Sequence, residues 1–364
     1  MKTTPVIILL LLVGLIFSCA KEDEISNQES SLQPEDLAKI ELENTPLDLK
    51  DLSISIQGAE EKTEEFTPNG LISLTVPSTK SLALSGTQFT VEFNSKDDFE
   101  GVYLQLQNTD GAKATSYFGG ISYNGKSLKK NKKATFLSKN TKIAEASNIT
   151  GSYQFSVDLD SSVKPGTFCY SIWVYDAQGN ISKPQEVCVT VKALGGNSNL
   201  VGTWNESKSI YDGVTYYPYE WYDFGYVDQS CKKYLKRLGQ SALYSYVFNA
   251  DGTYVEYEYV NKHKTTEDVI DNYDTCTIKE EVTQIENETF IEKGKWAYDA
   301  ESKNLIYSIS SHQTVNAAGT VVSEYDWSHN SFDETRITIF DSNFVLYLEA
   351  NEYDSEAWEY FDKK

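Results

Sequence analysis

The chain reads as an all-β protein built from two successive modules, and three observations carry that reading. No long stretch shows the apolar spacing of an amphipathic helix, whereas segments of alternating apolar and polar residues recur about every 8–12 residues. Ala193-Leu194-Gly195-Gly196-Asn197-Ser198-Asn199 is a Gly/Asn/Ser break between two such runs and marks the division. A length of 364 residues, at roughly 100–200 per domain, accommodates two folded units with a remainder. The formal charge of −22 argues against a nucleic-acid partner, whose phosphates recruit Lys and Arg surfaces.

The remainder lies at the N-terminus. Lys2 precedes an uncharged apolar run over residues 6–17. That is the length of a signal-peptide core, whereas a spanning helix needs about 20 residues. The run ends Ile16-Phe17-Ser18-Cys19, which resembles the lipobox of bacterial lipoproteins. The resemblance implies removal of residues 1–18 as a signal peptide, acylation of Cys19 and attachment to membrane lipid. Several acyl chains, at about 0.8 kcal/mol per buried methylene, make such an anchor durable. Lys21-Glu22-Asp23-Glu24 looks like the export signal of Bacteroidota lipoproteins. It implies an outer-membrane lipoprotein on the extracellular face. Residues 19–47 hold eight acids against two lysines and almost no aromatics, the composition of a flexible acidic tether.

The first module, residues 48–193, offers strands at 52–56, 71–76, 88–94, 101–107, 151–159, 166–175 and 185–191. Seven strands in a unit of this size is a sandwich count. The last two flank Asp176-Ala177-Gln178-Gly179-Asn180 and form a hairpin. This end resembles the closing strands of immunoglobulin-like and fibronectin-like modules, implying an Ig-like β-sandwich. The Cys…Trp…Cys spacing of antibody domains is missing. Seven lysines between Lys126 and Lys142 read as a solvated loop or a guarded edge strand, with anionic headgroups or polysaccharide as the functional alternative.

After the linker at 194–199, the second module (200–364) opens Gly202-Thr203-Trp204 and continues through Asn249-Ala250-Asp251-Gly252, Gly294-Lys295-Trp296 and a late Arg336. This order resembles the lipocalin-like domains of Bacteroidota lipoproteins and implies an antiparallel lipocalin-like β-barrel of about eight strands. In it, Gly202 brings the first strand close to the floor and Trp204 plugs that floor. Arg336 packs across the Trp as a cation–π partner worth about 0.5–2 kcal/mol.

Assigning Cys19 to lipid leaves four cysteines, which allow three pairings. The linker disfavours cross-module bridges, leaving Cys169 with Cys188 and Cys231 with Cys276. No closely spaced Cys or Cys/His pair points to a metal, and no cofactor is expected.

The catalytic inventory is thin. There is no nucleophile elbow, no zinc-protease helix and no phosphate loop, so no catalytic residue and no enzyme activity are expected. His263, His312 and His329 are isolated and read as exposed. Glu256 and Glu258 share one side of a strand and read as a solvated face. The unusual feature is the aromatic stretch 211–226, in a module where 31 of 165 residues are aromatic against 15 of 146 in the first. Tyr216, Tyr217, Tyr219, Trp221, Tyr222 and Tyr226 offer apolar faces with polar tips for a small amphipathic ligand or a glycan at the barrel mouth. The same residues could equally pack the mouth shut. The leading expectation is non-catalytic ligand binding. The alternative is an adhesive or accessory role with a closed barrel and another envelope protein as partner.

Overall fold

The computed structural model describes residues 34–122, 129–130, 151–223, 225–240, 242–260, 263–285, 287–340, 342–348 and 356–364. The expected signal peptide, Cys19 and the first part of the tether lie outside the described residues, as do all lysines of the 126–142 cluster except Lys129 and Lys130.

The first described element is a helix, α1 (Pro34–Glu43). It falls within the stretch expected to be a flexible tether, and that expectation is corrected here. Pro34 occupies the first helical position, where a missing N–H is not needed. Tertiary contacts hold the rest.

The strands of the first module are β1 (Ile54–Ser55), β2 (Glu60–Lys62), β3 (Lys80–Leu84), β4 (Gln88–Ser95), β5 (Gly101–Gln107), β6 (Tyr117–Ser122), β7 (Lys129–Lys130), β8 (Gly151–Leu159), β9 (Gly166–Tyr175) and β10 (Gln185–Lys192). They form two sheets, one ordered β2-β6-β5-β9-β10-β3 and one ordered β1-β8-β4 with β7 beside β8. Alternation decides the faces. On β4, Phe89, Val91 and Phe93 are buried while Thr90 and Glu92 face out. Phe89, Phe93, Phe155 and Val157 of one sheet share a core with Leu104, Ile121, Phe168 and Ile172 of the other. Cys169 and Cys188 are direct cross-strand partners on β9 and β10, and they are bonded.

The second module contains β11 (Gly202–Tyr211), β12 (Val214–Tyr216), β13 (Trp221–Asp223), β14 (Tyr226–Asp228), β15 (Lys233–Leu235), β16 (Arg237–Gln240), β17 (Leu243–Phe248), β18 (Thr253–Val260), β19 (His263–Asn272), β20 (Thr277–Ile285), β21 (Glu288–Asp299), β22 (Asn304–Asn316), β23 (Val321–Ile339), β24 (Asn343–Leu348) and β25 (Ala357–Lys363). Eight of these run β11-β17-β18-β21-β22-β23-β24-β25, and pairing of β11 with β25 closes them into an antiparallel barrel. Two excursions leave the wall, one between β11 and β17 and one between β18 and β21. They meet in a side sheet ordered β13-β16-β19-β20. The Cys231–Cys276 bridge joins the two excursions to each other rather than fastening the first onto the wall.

The floor is aromatic. Trp204, Trp296, Phe344 and Phe361 are fully buried, and the Trp204 ring meets Phe344 edge-on at 4.9 Å. Trp204 Nε1 donates to the Leu200 carbonyl at 2.7 Å. Gly202 adopts φ +141°, and a Cβ there would sit 3.0 Å from Lys363 Cε, so the close entry of β11 depends on glycine. The expected cation over Trp204 is a different residue. Lys363 Nζ lies 5.0 Å from the Trp204 ring centroid, whereas Arg336 lies over Tyr347 at 5.4 Å. Alternation on β23 is the reason: Ile337 is buried in the floor cluster, so its neighbour Arg336 faces out. Lys363, directly opposite Trp204 in the β11–β25 ladder, takes its place.

The modules meet at this floor. The Gly195 N–H donates to Trp296 O and the Tyr298 N–H donates to Gly195 O, both at 2.8 Å, so the linker is pinned to β21. Lys295 Nζ donates to the carbonyls of Ser85 (2.8 Å) and Gly86 (3.0 Å). Leu84, Ala297 and Ile306 are completely buried in a small core there.

Candidate functional site

Above the aromatic floor, the inward residues change character. Cross-strand partners point to the same face, so the interior is traced from one strand to the next. On β11, Trp204 is followed by Glu206, and both are buried. A bulge between Glu206 and Lys208 shifts the alternation, so Ser209 is the next buried residue while Lys208 stacks on Tyr360. On β17, Tyr244, Tyr246 and Phe248 stand opposite Glu258, Glu256 and Tyr254 of β18. Glu256 in turn faces Glu292 of β21, and Glu292 faces His312 of β22. Glu359 of β25 stands opposite Ser209.

Five glutamates therefore share one tier of the barrel: Glu206, Glu256, Glu258, Glu292 and Glu359. Glu206 is buried and the other four are half-buried, so solvent reaches the tier although the floor below is closed. Polar neighbours surround the carboxylates. The Tyr211 hydroxyl donates to Glu359 Oε1 at 2.7 Å. Tyr244 stands across from Glu258 and Tyr246 across from Glu256. His312 Nδ1 lies 3.1 Å from Glu292 Oε1. Among the described residues, no lysine or arginine forms an ion pair with any of the five.

This arrangement suppresses ionisation. Burial, then repulsion from Glu292 and Glu359, pushes the Glu256 carboxyl up to about 8. Burial and the nearby Glu359 raise Glu206 to about 7. Glu258 and Glu359 are also raised, chiefly by burial. Glu206, Glu256, Glu258 and Glu359 thus hold their protons more tightly than free carboxyls do. The carboxylates are spread around the barrel wall: among the described residues, the one His/Cys/Asp/Glu grouping tight enough for a metal is Cys169, Glu186 and Cys188, whose cysteines are disulfide-bonded.

The six aromatic candidates divide. A tight turn at Asp212-Gly213, with φ of 52° and 74°, folds β12 back on β11 and places Tyr216 opposite Ser209. The Tyr216 ring contacts Tyr211 at 6.0 Å and Tyr222 at 4.6 Å, so Tyr216 and Tyr222 extend the wall upward from the Tyr211–Glu359 hydrogen bond. Tyr217, Trp221 and Tyr226 are about half exposed, at 47%, 51% and 51%. Tyr219 is half-buried, and its carbonyl accepts from Gln240 Nε2.

Glu256 and Glu258, expected on a solvated face, point inward instead. Nothing in the local pattern marks Glu206, Glu292 or Glu359, and His312, expected to be exposed, is half-buried against Glu292. The side chains of His263 and His329 lie outside the described residues. A periodic signal exists in Tyr254-Val255-Glu256-Tyr257-Glu258-Tyr259, but both faces of that strand carry aromatic residues, so alternation alone does not say which is inside. No protein-family model matches the chain, and no curated protein matches it.

Proposed function

We propose that this chain is an exported, lipid-anchored binding protein that takes a small organic cation, such as an amine, into the upper lumen of its lipocalin-like barrel. One observation carries the ligand class: five glutamates face a solvent-reached lumen with aromatic hydroxyls between them. An amine entering this tier displaces protons held by the raised carboxyls, supplies the counter-charge they lack and finds tyrosine faces for cation–π contact. A fatty acid would meet repulsion from the same carboxylates, and a hydrocarbon would leave them desolvated without partners. The role is binding rather than catalysis. Acylation of Cys19 and display on the outer membrane rest on the Ile16-Phe17-Ser18-Cys19 and Lys21-Glu22-Asp23-Glu24 motifs. The Ig-like assignment of residues 48–193 rests on the resemblance of the closing hairpin, with the two-sheet core as support.

Titration calorimetry on the full chain, with a panel of mono- and diamines, neutral sugars and fatty acids, tests the ligand class. Amine binding accompanied by proton release, and weakened at least tenfold by Glu256→Gln, is the expected result. Binding of a fatty acid or sugar that survives Glu256→Gln, with no amine bound, overturns it. Membrane fractionation of Cys19→Ala tests the anchor: the variant is expected in the soluble fraction.

A second reading has its own observation. Trp221, Tyr226, Val227, Tyr234 and Val282 of the two excursions are each about half exposed. An envelope protein docking there would be lost on Trp221→Ala with Tyr226→Ala, while amine binding in the lumen stayed intact.

A further inference from the structure

Helix α1 sits where the two modules meet, and it makes bonds to both. Lys39 Nζ donates to Gly195 O at 3.1 Å and to Tyr298 O at 2.7 Å, which ties the helix to the linker and to β21 of the barrel. Glu43, one turn later, reaches the other module. Its Oε2 pairs with Lys192 Nζ at 3.0 Å, and its Oε1 accepts the Ala193 N–H at 2.9 Å. Lys192 Nζ then spans to Asp299 of the barrel at 3.1 Å. Between these polar contacts, Ile40 packs against the barrel-floor cluster. Immediately beyond the helix, the Thr167 hydroxyl donates to Glu43 O at 2.8 Å, and the Leu47 N–H donates to Thr167 O at 2.9 Å.

Two features make this attachment specific yet weak. A helix of 10 residues is too short to persist in water, because isolated helices under about 12–15 residues are marginal. Its ordering is therefore coupled to docking. The docking is dominated by buried charges, and the desolvation of a buried ion pair cancels most of its attraction. Lys39 also lies in the field of Lys192, which opposes the pull of Glu43, Asp299 and Asp36.

We propose that α1 is a releasable clasp. Docked, it locks both modules into one body at the root of the N-terminal segment. Released, it unfolds into that segment and lets the barrel move on residues 193–199. The reach of the segment changes with it: the 10 residues span about 15 Å as helix. Extended, they span roughly 33–36 Å. The inference holds whether or not Cys19 is acylated, and it stands apart from the lumen.

The test uses the full chain carrying Lys39→Met with Glu43→Gln, which removes the charges and keeps the helical side-chain volume. One spin label is placed on the exposed face of each module, and the distance between them is measured alongside protease nicking within 193–199. A single narrow distance in the wild type, a broad distribution in the variant and nicking at least tenfold faster are expected. A variant as narrow and as resistant as the wild type overturns the proposal, because the backbone bonds of Gly195 to β21, Lys295 and the Leu84 core would then hold the junction without the helix. If the variant does not fold, a protease site is placed at residues 44–46 of the wild type. The folded protein is cut, stripped of its N-terminal fragment in high salt and measured in the same way. Broadening supports the clasp, and an unchanged distance overturns it.

Discussion

The lower and upper halves of the barrel are made by the same strands, and they solve opposite problems. On β11, Trp204 and Glu206 are neighbours on one face. The first is sealed among Phe344 and Phe361, while the second stands in a tier of carboxylates. Burying aromatic surface stabilises the fold at about 25 cal/mol per Å². Gathering glutamates without cationic partners opposes it, through desolvation and mutual repulsion. The difference teaches where stability is made and where it is given up, and the destabilised half is the one solvent reaches. Strain of this kind concentrates at functional sites.

The contrast can be broken from below. Trp204→Ala removes one of the two fully buried indole rings of the floor and its hydrogen bond to Leu200. A loss of about 3–5 kcal/mol is expected in denaturant unfolding, enough to threaten folding of the barrel. Replacing Cys169 and Cys188 together by Ala opens a bridge of sequence separation 19. It is expected to cost about 3 kcal/mol, in the first module only.

From above, the sign reverses. The Glu256 carboxyl is raised from 4.5 to about 8. A carboxyl that binds its proton more tightly in the folded state than in the unfolded chain contributes stability below the unfolded value and loses it as pH rises through the folded one. The barrel is therefore expected to melt at a lower temperature at pH 9 than at pH 5. Glu256→Gln should raise stability by about 1–2 kcal/mol at pH 9, with little effect at pH 4, and flatten the profile. A wild-type melting temperature that rises between pH 5 and pH 9 would break the contrast between the halves. The smallest expected effect sharpens the floor alone. Lys363→Met should cost about 0.5–1 kcal/mol through loss of its contact with Trp204, whereas Arg336→Ala should stay within about 0.5 kcal/mol.

Much of the architecture is legible in the chain itself. Six of the seven strands expected in the first module, the break at 194–199 and both disulfide pairs rest on alternation, turn residues and the placement of cysteines, whereas the closed barrel and the Gly202–Trp204 floor come from the resemblance to lipocalin-like domains. The strand expected at 71–76 does not form, and that stretch holds only a single bridge from Thr75 to Asn94. The failures have physical reasons too. The helix 34–43 is acidic and, by composition, resembles the tether preceding it; it is ordered by contacts with Gly195, Tyr298 and Lys192, far along the chain. Arg336 has the residue type expected over Trp204, but one step of strand alternation sends it to the outside. Glu256 and Glu258 are correctly read as sharing a face, and the face is misread because Tyr257 and Tyr259 make the opposite side look like an interior.

The all-β class and the break near residue 194 are set by alternation and turn residues, which depend on neighbours a few residues apart. The cysteine pairs, 19 and 45 residues apart, follow from that break, which leaves two cysteines to each module. Tertiary structure alone decided that the glutamates of β11, β18, β21 and β25 face one lumen, and that α1 joins the two modules. Both depend on barrel closure, in which β11 meets β25 across about 150 intervening residues and a single bulge after Glu206 resets which side chains point inward.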